Sequence, residues 1–218
     1  MPTLKPSERM KIVRQAMPEL EPAHRATCFQ EVNCGYETDA ATTEASRCIQ
    51  CKDAKCIGGC PVGVNIPAFI DAVSRNDMPA AADILFGDNV LPGITGRVCP
   101  QEKQCEALCI RGKKGSPVGV GYLERYVADW ARENRKELFE PPARTGKRVA
   151  VVGSGPGGLT CAGELAKRGH AVTVFEALHT AGGVLVYGIP EFRLPKAVVR
   201  AEVETLRRAI VEVSGLRS

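Results

Sequence analysis

Apolar residues in the first two thirds of the chain recur at the three- and four-residue spacing that is typical of amphipathic helices. One run opens at Ile66-Pro67, and its residues Phe69, Ile70 and Val73 would share a face. We predict further helices over residues 5–17, from a cap at Thr38-Asp39 through Glu44 to Cys48, from Met78-Pro79 through Phe86, and around Tyr122, Tyr126, Val127 and Trp130. We interpret the aromatic stripe in the last of these as core packing.

The pattern changes to short apolar strands after residue 145. Residues 147–152 are predicted to form a buried strand, 159–168 a helix and 171–176 a second strand, with a glycine-rich turn after the first. A strand, turn, helix and strand in this order predict a parallel α/β unit. Residues 141–146 contain two prolines and a glycine, which favours a linker. We therefore predict a mainly α-helical domain followed by an α/β domain.

Composition is that of an ordinary soluble globular protein, with 44% hydrophobic and 25% charged residues. No stretch approaches the ~18 apolar residues of a membrane helix, and the first residues show no apolar run typical of a secretory signal. We therefore expect a cytoplasmic protein. The net charge of +4 arises after residue 145, and no basic block is dense enough to indicate nucleic-acid binding.

Ten cysteines, nine of them between residues 28 and 109, are the most unusual feature of the composition. Thiolates at short spacing followed by proline are typical of [4Fe–4S] ligands. Seven thiolates would fill one cluster and leave three ligands for a second. By analogy with two-cluster ferredoxins, the last cysteine of the first group would bind a different cluster from its neighbours. The two groups are Cys48-x2-Cys51-x4-Cys56-x3-Cys60-Pro61 and Cys99-Pro100-x4-Cys105-x3-Cys109.

Zinc is the alternative interpretation of this cysteine framework. Structural zinc sites commonly place their ligands in two separated pairs, whereas four of these cysteines fall within residues 48–60. The crowding favours iron–sulfur clusters, and disulfides are not expected in a reducing compartment. Cys28, Cys34 and Cys161 lie outside the spacing, and we interpret them as small buried hydrophobic residues.

The glycine-rich turn matches the G-x-G-x-x-G pattern of dinucleotide-binding folds at Gly153, Gly155 and Gly158. Such glycines let the backbone turn tightly and approach a pyrophosphate at the helix N-terminus. Glu176, 23 residues after Gly153 and at the end of the second strand, could accept hydrogen bonds from ribose hydroxyls. The motif alone leaves FAD and NAD open. The following Ala181-Gly182-Gly183 favours FAD, because many two-dinucleotide flavoproteins close over the cofactor there.

The cysteine framework, the glycine fingerprint and the segment Tyr187-Gly188-Ile189-Pro190-Glu191-Phe192-Arg193-Leu194-Pro195-Lys196 together resemble one family over about residues 25–205. This family contains the small (beta) subunit of NADPH-dependent glutamate synthase. Its relatives include the large subunit of NADH-dependent reduced ferredoxin:NADP oxidoreductase and the N-terminal part of dihydropyrimidine dehydrogenase. The resemblance implies an N-terminal helix and extension (1–37), a helical domain binding two [4Fe–4S] clusters (38–140), the linker (141–146) and a partial Rossmann-like FAD-binding domain (147–218).

The resemblance also implies which residues hold each cofactor. Cys48, Cys51, Cys56 and Cys109 would hold one cluster. The other would be held by Cys60, Cys99, Cys105 and, where relatives have Gln or Glu, by Glu124. FAD would contact Gly153, Gly155, Gly158, Glu176, Gly183, Val184 through its backbone, Arg193 and Val98.

The resemblance implies an oxidoreductase subunit in which electrons pass from NADPH through FAD and two clusters to a partner, with no side chain acting as a nucleophile or acid–base catalyst. The expected partner is the large subunit of glutamate synthase, which makes glutamate from 2-oxoglutarate and glutamine. The alternatives are the related ferredoxin:NADP oxidoreductase and a non-catalytic electron-transfer or interaction module. Residues 186–218 are interrupted by proline and then predicted to be helical, so no NADPH domain fits there. We expect this length of chain to bind FAD weakly, without reduction by NADPH.

Overall fold

The computed structural model describes residues 4–135, 142–208 and the strand at 211–215. Up to residue 135 the described chain is mainly helical. Its longest helix, Val120–Asn134, contacts the four helices that begin at Thr38, Ile66, Met78 and Pro92. None of the described helices is both long and apolar enough to cross a bilayer. The helices are α1 (Pro6–Arg9), α2 (Pro22–Arg25), α3 (Thr38–Ser46), α4 (Lys55–Gly58), α5 (Ile66–Ser74), α6 (Met78–Asp88), α7 (Pro92–Val98) and α8 (Val120–Asn134), with 3₁₀ turns at Gln101–Lys103 and Ile110–Lys113.

Helices α5 and α6 begin as predicted, each with a proline in its first turn and a side-chain cap. The carboxamide of Asn65 accepts a hydrogen bond from the backbone of Ala68, and the carboxylate of Asp77 accepts one from Ala80. The aromatic stripe of α8 is packed against the main hydrophobic core, so its interpretation is confirmed. The fully buried residues of this core include Phe69, Ile70, Leu85, Leu123 and Val127.

Two helix predictions were wrong near the N-terminus. The predicted helix over 5–17 reduces to α1, because two buried arginines bind the carbonyl groups of Arg9, Met10 and Ile12 that a helix would use internally. Helix α3 begins at Thr38 with Glu37 as its cap residue, and no side chain caps it. It ends at Ser46, which leaves Cys48 in the following loop.

The α/β part contains three parallel strands in the described chain, in the order β1-β2-β3. The strand Ala171–Glu176 has its predicted bounds, and the first strand and helix begin close to theirs.

Two expectations about the α/β part were wrong. The first strand is an edge, so Val152 is 84% exposed rather than buried, and residues 186–218 contain a strand after their helix. The elements are β1 (Arg148–Val152), α9 (Pro156–Ala166), β2 (Ala171–Glu176), α10 (Val184–Tyr187), α11 (Lys196–Arg208) and β3 (Val211–Gly215).

Helix α7 joins the two parts. Leu91 and Ile94 share one apolar cluster with Leu185 and Val199 of the α/β part. The buried carboxyl group of Glu202, on α11, accepts a hydrogen bond from the backbone nitrogen of Gly93 at 3.2 Å. Burial raises the pKa of this carboxyl to about 8, against the opposing effect of that hydrogen bond. The helical and α/β parts are therefore packed together through apolar surface and one buried acid.

Candidate cluster and dinucleotide sites

The first predicted ligand set comes together at one cavity. Cys48 and Cys51 lie on the loop after α3, Cys56 lies on the short helix α4, and Cys109 precedes the 3₁₀ turn Ile110–Lys113. All four line this cavity. The short spacing places three of the thiols on a tight loop, and the chain returns 53 residues later to supply the fourth.

These four thiols perturb one another. Burial is the main cause that raises the pKa of Cys48 to about 11, and the neighbouring thiolates of Cys56, Cys109 and Cys51 act in the same direction. Burial and the thiolates of Cys109 and Cys51 likewise raise the pKa of Cys56 to about 11. Like charges disfavour each other's ionised form, so this group of thiols is suited to binding a cationic centre that removes their protons.

The second predicted set is also coupled. Burial is the main cause that raises the pKa of Cys99 to about 11, and the charges of Glu124 and Cys60 act in the same direction. Burial is also the main cause that raises the pKa of Cys105 to about 12, together with the charges of Glu106, Glu124 and Cys60. Three separated stretches of sequence therefore bring Cys60, Cys99, Cys105 and Glu124 within electrostatic reach of one another. Cys99 is positioned by α7, and Glu124 by the buried face of α8.

Glu124 is held by two neutral donors. Its Oε1 accepts a hydrogen bond from Asn89 Nδ2 at 2.9 Å and one from Thr95 Oγ1 at 2.5 Å. Burial raises the pKa of Glu124 to about 7, although these hydrogen bonds oppose the rise. Among the residues described, none donates to its Oε2. Sequence reasoning missed Asn89 and Thr95, which lie 35 and 29 residues away and belong to no recognisable motif.

The four thiol groups of the first set line a cavity and do not converge on one point. Within the described chain, no three His, Cys, Asp or Glu side chains are gathered closely enough to hold a single metal ion. A tetrahedral zinc site needs Zn–S bonds of about 2.3 Å, which bring its sulfur atoms within about 4 Å of each other. A cubane needs its ligands farther apart, which fits the cavity that the first set lines. All ten cysteines are free of disulfides.

The three remaining cysteines do not all match their interpretation. Cys28 is half-buried, but Cys34 and Cys161 are exposed, so the interpretation as buried hydrophobic residues was wrong for both. Cys161 lies on the outer face of α9, and Cys34 follows the bridge that pairs Glu19 with Asn33 at the surface.

The glycine fingerprint forms a tight turn between β1 and α9. A Cβ atom on Gly158 would lie 2.0 Å from the carbonyl oxygen of Gly153, so only glycine permits this close packing. Gly155 is the cap residue of α9. Pro156, the first residue of the helix, has no N–H group, so the backbone N–H groups of Gly157 and Gly158 are the first that could bind an anion. A Cβ atom on Gly183, where φ is +52°, would lie 2.9 Å from Gly155 Cα, so the second glycine pair closes on the fingerprint.

Glu176 lies beside this turn with both carboxylate oxygens engaged. Oε2 accepts hydrogen bonds from Ser154 through its backbone nitrogen at 2.9 Å and through its hydroxyl group, and Oε1 accepts one from Leu178 N at 2.8 Å. The bond from the Ser154 side chain is the main cause that lowers the pKa of Glu176. Ser154 Oγ also accepts a hydrogen bond from Gly182 N at 3.0 Å. Sequence reasoning missed Ser154, which ties the three segments together.

The other predicted dinucleotide contacts lie at separate places on this face. Val184, the first residue of α10, is 56% exposed, and Arg193 is exposed with no ion pair to any described residue. Val98 ends α7 and packs against the apolar cluster that α7 shares with α10 and α11. It directly precedes Cys99, so one predicted dinucleotide contact and one predicted cluster ligand are neighbours in the chain.

Two family models match the chain. Residues 25–136 match the family described as dihydropyrimidine dehydrogenase domain II, 4Fe-4S cluster. Residues 151–195 match the NAD(P)-binding Rossmann-like domain. The first match contains all eight candidate cluster ligands, and the second contains the glycine fingerprint, Glu176 and Arg193.

Curated relatives cover nearly the whole of this chain. The glutamate synthase [NADPH] small chain of Bacillus subtilis is 37% identical over 93% of it, and that of Halomonas elongata is 36% identical over 91%. The NAD-dependent dihydropyrimidine dehydrogenase subunit PreT of Escherichia coli is 34% identical over 85%. The chain spans between about a third and just under half of the length of the relatives it matches, from 31% to 45%.

Proposed function

The chain belongs to the iron–sulfur oxidoreductase family of dihydropyrimidine dehydrogenase domain II and the glutamate synthase small chains, and we propose that it transfers electrons between a flavin and a partner protein. The observation that carries this proposal is the convergence of Cys48, Cys51, Cys56 and Cys109 on one cavity. These four would hold one [4Fe–4S] cluster. Cys60, Cys99, Cys105 and Glu124 would hold a second.

Glu124 fits the eighth ligand position because, within the described chain, only one of its two carboxylate oxygens accepts hydrogen bonds. Oε1 is fixed by Asn89 and Thr95, and Oε2 remains available for iron. A carboxylate is a harder ligand than a thiolate. Thr95 and Asn89 would hold the carboxylate in one orientation, in the way that hydrogen bonds commonly orient metal ligands.

The dinucleotide site would take FAD. When bound, the flavin would accept a hydride from a nicotinamide and release single electrons to the clusters. The N-terminus of α9 would bind the pyrophosphate, and Glu176 would accept from the ribose. Val98 would shield the path between the two sites from water. Support for FAD over NAD comes from the closure of Gly183 on Gly155.

The proposed partner is a glutamate synthase large chain. Small chains of that enzyme from two organisms match more than nine tenths of this chain. A dihydropyrimidine dehydrogenase partner is the second candidate, because the PreT match covers 85% of the chain at 34% identity. The candidate cluster and dinucleotide residues serve either partner, since both need the same supply of electrons.

The test is the metal content of anaerobically purified protein. We expect about eight irons and as many acid-labile sulfides per chain. Cys51→Ser should remove about half of the iron, whereas Cys161→Ser, which alters an exposed thiol outside both groups, should remove none. Stoichiometric zinc without sulfide would contradict the proposal. Mixing the reduced protein with each candidate partner chain, and following reoxidation by EPR, would then distinguish the partners.

A further inference from the structure

Arg111 is a buried cation beside the first group of thiols. It lies two residues after Cys109, on the 3₁₀ turn Ile110–Lys113, and is only 5% exposed. Its side chain lines the same cavity as the four cysteines. Burial and the charge of Arg47 lower the pKa of the guanidinium group, and the thiolates of Cys109 and Cys48 are near enough to oppose this.

The terminal nitrogens of Arg111 are fully used by backbone carbonyl groups. Nη1 donates to the carbonyl oxygens of Arg9 at 2.5 Å and Arg47 at 3.0 Å, and Nη2 donates to those of Met10 at 3.3 Å and Ile12 at 3.0 Å. Four acceptors from two chain segments therefore fix the plane of the guanidinium group. The side chain has little freedom to turn away from the cavity.

The Nε atom of Arg111 has no acceptor. Among the described residues it is the one buried side-chain nitrogen or oxygen without a hydrogen-bond partner. Leaving a buried donor unpaired costs free energy, and the cost is larger for a charged group. A donor fixed in this orientation at the wall of a thiol-lined cavity implies that an acceptor is present when the site is filled. An arginine N–H can only donate, so that acceptor is electron-rich.

We propose that Arg111 Nε–H donates a hydrogen bond to a sulfur of the cluster held by Cys48, Cys51, Cys56 and Cys109, and thereby makes this cluster the easier of the two to reduce. The inference rests on the proposed function, because it needs the cluster to be bound. Hydrogen bonds to sulfur and nearby net charge are two of the factors that set cluster potentials. Both act in the same direction here, since each stabilises the extra negative charge of the reduced state.

The second ligand set has different surroundings. Cys105 and Cys99 interact with the carboxyl groups of Glu106 and Glu124, and the nearby guanidinium group of Arg14 is paired with Glu106 at 2.9 Å. Negative neighbours disfavour the reduced state of a cluster. The difference directs electrons from the cluster at Cys99, next to the dinucleotide site, toward the cluster at Cys109.

The experiment separates the hydrogen bond from the charge. Arg111→Lys keeps the positive charge but loses Nε–H, and Arg111→Gln loses both. We expect both variants to shift one cluster to lower potential in an EPR-monitored redox titration, with Gln shifting it further. That cluster should be the one whose signal Cys51→Ala removes. Arg47→Lys is the matched control, because Arg47 is equally buried and binds carbonyl groups but does not line the cavity.

A second measurement detects the hydrogen bond itself in the wild-type protein. In wild-type protein labelled with ¹⁵N at arginine Nε, the reduced cluster should show a ¹⁵N hyperfine coupling, which Arg111→Lys should abolish. Wild-type protein that binds about eight irons but shows no coupling would overturn the inference and leave the proposed function standing. An unchanged potential in Arg111→Lys with full iron content would do the same. A chain without iron would overturn both.

Discussion

At the scale of single residues, Glu124 shows how a carboxyl group on an ordinary amphipathic helix becomes a candidate ligand. The spacing of α8 places it on the buried face, and Asn89 and Thr95 then orient it. Without the family resemblance, sequence alone favours a solvated charge at this position. The cysteines are different, because their spacing alone indicates cluster ligands and predicts that Cys60 separates from its neighbours. Only the family resemblance assigns Cys109 to the first set.

Replacing Glu124 tests its role directly. We expect Glu124→Ala to change the potential or lower the iron occupancy of one cluster and to spare the other, because only one ligand set contains this carboxyl group. EPR spectra and iron analysis of the reduced protein measure both effects. Glu133→Ala is the control, since it makes the same change at an exposed position of the same helix. Unchanged spectra in Glu124→Ala would rule out ligation.

At the scale of elements, the segment from β1 to β2 was predicted well because its determinants are local. The glycines, the apolar strands and the terminal acid all lie within 30 residues. The N-terminal segment 5–17 was not predicted well, because its conformation depends on Arg47 and Arg111, which bind it from distant parts of the chain. Tertiary contacts overrode local helix propensity there.

The turn before α9 allows a matched pair of glycine substitutions. Gly158→Ala would place Cβ 2.0 Å from the carbonyl oxygen of Gly153, so we expect a loss of more than about 1 kcal/mol of stability and weaker FAD binding. A Cβ on Gly157 would meet no atom within 4 Å, so Gly157→Ala should be neutral or stabilising by up to about 1 kcal/mol. Thermal unfolding and equilibrium dialysis with FAD measure the two effects. Equal behaviour of the variants would contradict the packing role of Gly158.

At the scale of the whole molecule, sequence patterns predicted the two kinds of structure but not how they pack. The contact depends on Gly93 of α7 and Glu202 of α11, which are 109 residues apart. Neither residue stands out in the sequence, because a glycine and a glutamate at these positions are compatible with an exposed turn and an exposed helix face. Only the fold shows that the carboxyl group is buried where the two parts meet.

Glu202 should make the stability of the protein depend on pH. Burial raises its pKa from 4.5 to about 8, so the folded state retains a proton that the unfolded state has lost. Stability should therefore fall as pH rises between about 4.5 and 8, by up to about 1.4 kcal/mol per pH unit. Glu202→Gln should remove this component and be the more stable form at pH 8. Melting temperatures from pH 5 to 9 measure the difference.

The control for this experiment lies on the same helix. Glu204 is half exposed and lies near Arg207 and Arg208, so Glu204→Gln should keep the wild-type dependence on pH. If Glu202→Gln and the wild type lose stability in parallel as pH rises, the buried carboxyl group is not the source.

The position of α7 also limits how this region can evolve. Its seven residues run from the apolar cluster shared with the α/β part to Cys99, and a Cβ on Gly96 would lie 2.6 Å from the backbone of Arg125 on α8. Inserting one residue would turn everything beyond it by about 100° and advance it by about 1.5 Å. Cys99 would then leave its group, and Gly96 would no longer face α8. We therefore expect evolution to keep the length of α7 and the glycine at position 96, and to tolerate exchanges of side chains only at the other positions of this helix that have room for them.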